Sequence, residues 1–371
     1  MGMSVRVAAR MSALVLALAV AACGSTAPTA AGPDAVGPNA AGPNAAGPDA
    51  AGSSTAGPST SASAGIGAAA TAAPSASTGA GPGQGSCDGF PADNIWRADV
   101  SRLPADPASA RYIASIGTAS GVHADFGSGT WDGGPIGIPV TTVPAGQKSS
   151  TVRFAYAGES DKGPYPIPAG AAIEGGPQAD GDRHVVLHDP VACKVYELFA
   201  AEHRSDGWHA GSGAVFDLRS DRLRPAGWTS ADAAGLSIFA GLVRYSEVAS
   251  GHIDHAIRVT VPRSRTSYVW PARHAAGQSA DAALPPMGLR LRLKAGVDVS
   301  KLPKQARIVA EAMKKYGLIV ADNGSPWYIS GTPDSHWDND ALHALGGLTG
   351  SDFEAVNVST LMVSANSAAA R

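Results

Sequence analysis

The sequence predicts a mainly β protein, an antiparallel β-sandwich or jelly roll with a few short helices. Glycine and proline recur roughly every eight to twelve residues through positions 87–362. Between them lie short runs rich in β-branched and aromatic residues. Regularly spaced short strands joined by turns are typical of sandwiches and barrels.

Six runs have the composition of strands. In the last of them three leucines alternate with two arginines and a lysine. This alternation predicts a strand with one buried and one solvated face. The six runs are 151–156, 184–188, 194–199, 256–261, 267–270 and 288–294.

Helices are few in this prediction. The clearest spans 304–316, where apolar residues share one face and Gly317 ends the pattern. Shorter helices are predicted over 107–116, 232–236 and 337–345. Residues 158–181 are predicted to form a long ordered loop, the kind of segment that often carries binding and catalytic residues.

The amino terminus has the pattern of an export signal. Arg6 and Arg10 precede an apolar run over 12–20, which is too short to span a bilayer. Residues 20–24, Val-Ala-Ala-Cys-Gly, resemble the bacterial lipobox, in which the signal is cut before a lipid-modified cysteine. The resemblance implies a signal peptide over 1–22, a lipid on Cys23, and a protein anchored on the extracytoplasmic side of the cell membrane. The alternative is a soluble secreted protein cut after Ala21.

Composition divides the rest of the chain. Residues 23–86 are almost entirely Ala, Gly, Pro, Ser and Thr, with a five-residue repeat across 31–50, which predicts a disordered tether. Residues 87–362 contain no second low-complexity break, so we expect one globular domain. Residues 363–371 are expected to form a disordered tail.

Charge and cysteine content limit the partners. The formal net charge is −3 and no basic stripe is present, which argues against nucleic acid. We expect a monomer. With Cys23 lipidated, Cys87 and Cys193 remain and predict one disulfide in an oxidising compartment. The alternative is a pair of buried free thiols.

No strong catalytic motif is present: the sequence lacks G-x-S-x-G, a P-loop, H-E-x-x-H and C-x-x-C. It therefore assigns no metal and no cofactor.

The densest polar cluster is in 173–188. Glu174 precedes two glycines, and Asp182, Arg183 and His184 lie where a turn enters an apolar strand. A carboxylate and an imidazole at a strand mouth could perform acid/base chemistry, or bind a metal with a further ligand. Alternatively, Asp182 and Arg183 pair to order the turn.

A second cluster lies in 251–274. His255 precedes a strand, and Trp270, Arg273 and His274 close the next one. An aromatic ring beside polar groups suits stacking on a sugar. The alternative is that Trp270 fills the core, with the arginine at its edge.

A third cluster contains Asp217, Asp232 and Trp228. The two aspartates could form the carboxyl pair that glycoside hydrolysis requires. Alternatively, Asp232 caps a helix. Two smaller segments accompany these clusters. Residues 123–134, with Trp131, are predicted to form a rim of the same cleft, and Asn323-Gly324 is predicted to form a tight hairpin turn.

Several motifs together resemble an uncharacterised family of secreted, β-rich proteins from bacteria rich in G and C. The likeness runs from Asn94 to Ser359 and implies secretion and a shared fold without assigning any catalytic residue. The motifs are RPAGWTSADAAGL, IDHAIR, YVWPARH, PPMGLRLRLK, KKYGLIVADNGSPWYISG and GSDFEAVNVS.

These features favour a domain that binds or cleaves a polysaccharide, as a glycoside hydrolase or a polysaccharide lyase. The alternative is a non-catalytic surface scaffold or adhesion module, and a metal-dependent hydrolase is a third hypothesis. The hypotheses differ in whether the polar clusters share one concave surface. The catalytic candidates are Glu174, Asp182, His184 and His255, and the substrate-binding candidates are Arg183, Trp228, Trp270, Arg273 and His274.

Overall fold

The computed structural model describes residues 87–371. The predicted signal peptide, the lipidated Cys23 and the tether lie outside these residues. In the described part, no helix combines the length and apolar character needed to cross a membrane.

The described residues form short elements, with one helix of twelve residues. In chain order they are α1 (Ser109–Ile116), β1 (His123–Asp125), β2 (Thr130–Trp131), β3 (Gly134–Pro135), β4 (Val140–Thr142), β5 (Val152–Phe154), β6 (Val185–Asp189), β7 (Lys194–Phe199), β8 (Glu202–Arg204), β9 (Gly207–Ala210), β10 (Ser212–Asp217), α2 (Ile238–Gly241), α3 (Tyr245–Ser250), β11 (Ile257–Val261), β12 (Arg290–Leu293), α4 (Lys304–Lys315), β13 (Leu318–Asn323), β14 (Tyr328–Ser330), α5 (Asn339–His343) and β15 (Phe353–Val356).

The strands form mixed sheets. The largest has the order β1-β14-β11-β13-β12-β15, a second has the order β10-β7-β6-β4, and a third has the order β5-β9-β8. The β-rich prediction is confirmed. The expected purely antiparallel pairing is wrong, because β1 with β14, β11 with β13, β4 with β6 and β5 with β9 are parallel pairs. A sandwich or jelly roll is not confirmed: turn spacing marks where strands end and carries no information on which strands pair.

Most predicted elements are confirmed within a few residues, including β5, β6, β7, β11, β12, α1, α4 and α5. Residues 267–270 are not a strand; only Tyr268 forms an isolated bridge, to Met287. Residues 232–236 are not helical, and the helix begins instead at Ile238 behind the Ser237 side chain. Asn323-Gly324 does not close a hairpin, because β11 lies between β13 and β14.

The main core lies on one face of the six-stranded sheet. Ile257, Val259 and Ile329 point from its central strands into the apolar cluster that also contains the buried faces of α1 and α4. Because side chains alternate along a strand, Arg258 and Ser330 point to the opposite face. That opposite face is polar and carries the site described below.

Strand β12 departs from its prediction. Its leucines enter the core as expected, but Arg290 and Arg292 are buried as well. Arg290 donates to the Ile95 carbonyl (2.8 Å), and Arg292 donates to the Leu103 carbonyl (2.9 Å) and to Glu354. The arginines therefore hold the amino-terminal segment of the domain and do not face solvent.

Helix α2 connects two of the sheets. The carboxylate of Glu197 on β7 accepts hydrogen bonds from Ser237 Oγ (2.7 Å) and from the backbone N–H groups of Ile238 (3.1 Å) and Phe239 (3.0 Å). Burial raises the pKa of Glu197 to about 7. At the other end of α2, Gly241 lies so close to Arg258 on β11 that a side chain would collide with it.

The two ends of the domain are fixed. Cys87 and Cys193 form a disulfide, which confirms the predicted pairing. The prediction of a disordered tail over 363–371 is wrong. Ala369 pairs with Asn94, Ser367 pairs with Arg222, and Ala368 is buried in a small apolar cluster with Ile95. Backbone pairing and the packing of small side chains order a segment that composition alone marks as flexible.

Candidate active site

The polar face of the six-stranded sheet brings distant parts of the chain together. Asp125 on β1 pairs in register with Ser330 on β14, and His123 pairs with Tyr328 beside them. The rings of His123 and Tyr328 stack with centroids 4.1 Å apart. Arg258 on β11 donates from Nη1 to Ser330 Oγ (2.7 Å). Three strands therefore contribute to one surface.

A β-bulge adds Asp322 to this surface. Val259 pairs with Val320, but Thr260 pairs with Asp322, so Ala321 is one extra residue on β13. Without that residue, the alternation of side chains would turn Asp322 towards the core. The bulge places it on the Arg258 face, with Arg258 Nη2 3.4 Å from Asp322 Oδ2. Bulges often re-aim side chains next to active sites.

Arg258 is the buried cation of the site. It forms a two-pronged ion pair with Asp232, through Nε to Oδ2 (3.0 Å) and Nη2 to Oδ1 (2.9 Å). Asp232 is fully buried and Arg258 is 4% exposed. Desolvation by burial lowers the pKa of Arg258, but the charge of Asp232 outweighs this effect and holds that pKa above its usual value.

A second ion pair comes from the loop before β6. His184 Nδ1 lies 2.6 Å from Glu174 Oε2, and His184 Nε2 lies 3.1 Å from the Ala231 carbonyl. Both partners are acceptors, so the imidazole must donate from both nitrogens and carry a positive charge. Desolvation by burial lowers the pKa of His184, but the Glu174 carboxylate outweighs this effect and raises that pKa to about 9. Burial opposes ionisation of Glu174 too, but His184 lowers the pKa of that carboxyl.

The site holds more carboxyl groups than cations. Burial, together with the charges of Glu174 and Asp182, raises the pKa of Asp125 to about 6. Burial and the charge of Asp232 raise the pKa of Asp322 to about 7, despite Arg258. Asp125 and Asp182 are nevertheless accessible to solvent. The carboxyl group of Asp125 is therefore open to solvent and close to the charges of Glu174 and Asp182.

This arrangement is suited to proton transfer. Asp125 and Asp322 retain protons at pH values where ordinary carboxyls have lost theirs, and Glu174 remains ionised. Carboxyl groups whose environments drive their pKa values apart can act as an acid and a base. Among the described residues, no group of three or more His, Cys, Asp or Glu side chains is arranged to hold a metal ion.

Three of the predicted catalytic residues meet at this site: Glu174, Asp182 and His184. The fourth, His255, lies elsewhere. Its Nε2 is 3.0 Å from Glu247 Oε1, and it lines a separate cavity of about 220 Å³ with Arg97, Arg244 and Asp254. The polar clusters of the sequence therefore do not share a single concave surface, an outcome that by itself favours the scaffold. The enzyme hypothesis now depends on the first cluster alone.

The predicted substrate-binding arginines are engaged with the backbone instead. Arg183 donates to the carbonyls of Pro177 (3.1 Å), Ala179 (2.6 Å) and Ala201 (3.0 Å). It does not pair with Asp182; it orders the loop by binding these carbonyls. Arg273 is buried and donates to the carbonyls of Arg224 and Ala365.

The predicted sugar-stacking groups also have structural contacts. Trp270 donates from Nε1 to the Ser367 carbonyl (2.8 Å) and packs under the carboxy-terminal segment. His274 Nδ1 lies 2.8 Å from the Ala233 carbonyl. Trp228 is half-buried beside the guanidinium of Arg224.

The proposed Asp217 and Asp232 pair is wrong. Asp217 is exposed and its Oδ1 accepts from the backbone N–H of Arg219 (2.9 Å), whereas Asp232 binds Arg258. Asp232 does not cap a helix either.

The sequence analysis named none of Asp125, Arg258, Asp322 and Ser330 as a site candidate, although Asp125 lies in the predicted rim and Arg258 in the second polar cluster. A further local signal was a charged residue at the end of an otherwise apolar strand, at Asp322 in β13.

Comparison of the chain with protein-family models, with curated proteins and with solved structures found no match.

The Glu174–His184 pair predicts a pH-dependent stability. The pKa of His184 is raised on folding, so its contribution is complete below about pH 6.5 and is lost as the pH rises through about 9. The pKa of Glu174 is lowered, so its contribution is lost as the pH falls below about 4.5. We expect His184→Gln to cost roughly 1.5–3 kcal/mol between these limits, and less at pH 9, measured by urea unfolding.

The double variant Glu174→Gln/His184→Gln tests whether the two residues act as a pair. It should lose little more stability than His184→Gln alone. A loss that is constant from pH 5 to pH 9, or two additive losses, would contradict the ion pair.

Proposed function

We propose that this chain is an extracytoplasmic glycoside hydrolase that cleaves a polysaccharide. The observation that carries the proposal is the pair formed by Asp125, a solvent-accessible carboxyl with a pKa of about 6, and Glu174, a carboxylate with a lowered pKa. Glycoside hydrolysis requires one protonated and one ionised carboxyl group at the same bond.

In this proposal Asp125 is the general acid. It donates its proton to the glycosidic oxygen as the bond from that oxygen to the anomeric carbon breaks. Its surroundings support the role, since burial and the neighbouring negative charges of Glu174 and Asp182 keep the proton on Asp125 before the reaction.

Glu174 is the ionised partner. His184 holds its Oε2, whereas its Oε1 accepts no hydrogen bond from the described residues. One oxygen is thus fixed and the other is available to stabilise the positive charge that develops on the sugar ring. A water molecule then adds to the anomeric carbon, and the proton that it loses goes to the Asp125 carboxylate.

The remaining charged groups support this pair. Arg258 fixes Asp232 and lies beside Asp322, which keeps a second proton in the site. Asp182 is exposed next to Asp125 and is placed to contact substrate hydroxyls.

The direct test incubates the full-length chain with a panel of polysaccharides and measures the release of reducing ends. We expect new reducing ends from at least one polymer. A folded protein that binds polymers without cleaving any of them would favour the adhesion module. A protein that neither binds nor cleaves them would favour the scaffold.

We also propose that a lipid on Cys23 anchors the domain to the membrane through the tether. Treated as a coil, about sixty residues have an r.m.s. reach of roughly 40–50 Å, which suits a polymer substrate outside the membrane. We expect Cys23→Ser to move the protein from the membrane to the soluble fraction and to abolish incorporation of radiolabelled palmitate. Unchanged membrane association of this variant would contradict the anchor.

A further inference from the structure

The hairpin of β2 and β3 carries Trp131, the one aromatic residue among the large exposed hydrophobic residues of the described part of the chain. Trp131 is 62% exposed. The turn of the hairpin has positive φ at Asp132 (48°) and Gly133 (86°), the geometry of a tight two-residue turn. Tryptophan is enriched at binding interfaces, because its ring offers a large apolar face and its N–H a hydrogen-bond donor, so an exposed Trp131 on an ordered hairpin is a candidate for contact with a ligand.

The hairpin is fixed at both ends. At its base, Asn339 accepts from the Ser128 N–H (2.9 Å) and donates to the Ser128 carbonyl (3.1 Å). At its tip, the backbone of Gly134 lies directly against Gly175, so that a Cβ on Gly134 would come within 2.1 Å of the Gly175 carbonyl carbon. The hairpin therefore rests on the turn that immediately follows Glu174.

The register of the hairpin gives the direction of Trp131. Trp131 pairs directly with Gly134. Side chains of directly opposed residues in an antiparallel pair project from the same face. The missing side chain of Gly134 would point at Gly175, so Trp131 projects from the face that rests on the Glu174 turn.

The charges of the site limit which sugar can lie there. The site contains two cations, and both are already bound to carboxylates: Arg258 to Asp232, and His184 to Glu174. Its five carboxyl groups are those of Asp125, Glu174, Asp182, Asp232 and Asp322. The site therefore contains three more carboxyl groups than cations. An acidic sugar would add a negative charge where Arg258 and His184 are already bound to carboxylates.

We propose that Trp131 is the stacking platform for an uncharged or amino sugar that lies over Asp125 and Glu174. The inference rests on the proposed function and adds the substrate class and the residue that binds it. The apolar face of a pyranose ring packs on the indole, and the polar site beside it receives the scissile bond.

The test uses the full-length protein with soluble xyloglucan, glycol chitosan and polygalacturonate. We expect cleavage of one or both of the first two and not of polygalacturonate. Trp131→Ala should raise KM about tenfold and change kcat by less than a factor of about two. Trp131→Phe keeps a ring and should restore KM to within about threefold of the wild type. Because Trp131 is exposed, its variants should unfold at the wild-type temperature.

A binding assay separates this inference from the proposed catalysis. In the Asp125→Asn background, gel retardation by the same polymer should be lost when Trp131→Ala is added. Retardation that is unaffected by Trp131→Ala, an unchanged KM, or a preference for polygalacturonate would overturn the platform. Undiminished turnover by Asp125→Asn would instead overturn the proposed catalytic mechanism, whatever the binding assay shows.

Discussion

Replacing Asp125 with asparagine is expected to lower kcat by about 10²–10⁴-fold, the usual contribution of a general acid. Asparagine has nearly the same shape but has no acidic proton to give to the departing oxygen. The pKa of Asp125 is raised on folding, so its ionised form is disfavoured in the native protein. Removing that charge should therefore leave the unfolding temperature at pH 7 unchanged or slightly higher.

The pH profile provides a second measurement. An acid must carry its proton, so kcat/KM should fall as the pH rises through about 6. Asp322, with a pKa of about 7, is the other group whose loss of a proton could cause such a fall. If Asp125 is the acid, the fall in kcat/KM near pH 6 should persist in Asp322→Asn. If Asp322 is the acid, that variant should no longer show the fall.

Substrates with a good leaving group sharpen the test. An aryl glycoside whose phenol is acidic needs little help from a proton donor, so Asp125→Asn should lose much less activity on it than on a polysaccharide. Asp217→Asn is the matched control, because Asp217 is an exposed carboxylate bound only to the local backbone. An Asp125→Asn enzyme with more than about a tenth of wild-type activity on the polymer would rule out the assigned role.

The sequence predicted part of this site because part of it is local. Glu174 and His184 are ten residues apart, at the two ends of one loop, and the backbone N–H of Glu174 donates to the His184 carbonyl (3.0 Å). Polar residues at the entrance to an apolar strand were therefore a usable signal. Most strands were predictable for the same reason, since composition and alternation are local properties.

The rest depends on contacts that local patterns do not encode. Asp125 meets Ser330 through a pairing across more than two hundred residues, and β1 is only three residues long. The direction of Asp322 depends on one extra residue in β13, and a shift of one residue turns a strand side chain to the other face. Arg258 lies on a short strand, and its burial depends on α2, which packs over it from another part of the chain.

Arg258 should make the largest contribution to stability of any charged side chain in the site. Arg258→Met removes the guanidinium and leaves the fully buried Asp232 without its cation. Removing one partner of a buried ion pair typically costs 3–5 kcal/mol, because the remaining charge stays desolvated. We expect a loss of about this size in urea unfolding, together with loss of activity, since Ser330 and Asp322 lose the same partner.

The double variant Arg258→Met/Asp232→Leu tests the physical cause. If the cost comes from an unpaired buried carboxylate, removing that carboxylate should recover much of the lost stability, because apolar replacements of buried ion pairs are often neutral or stabilising. Arg153→Met is the control: its ion pair with Asp206 is more than half exposed on both sides, and its loss should cost less than about 1 kcal/mol. Equal losses for Arg258→Met and Arg153→Met would mean that burial of the Arg258 pair contributes nothing. A double variant no more stable than Arg258→Met would place the cost in lost packing around the guanidinium stem, not in the charge of Asp232.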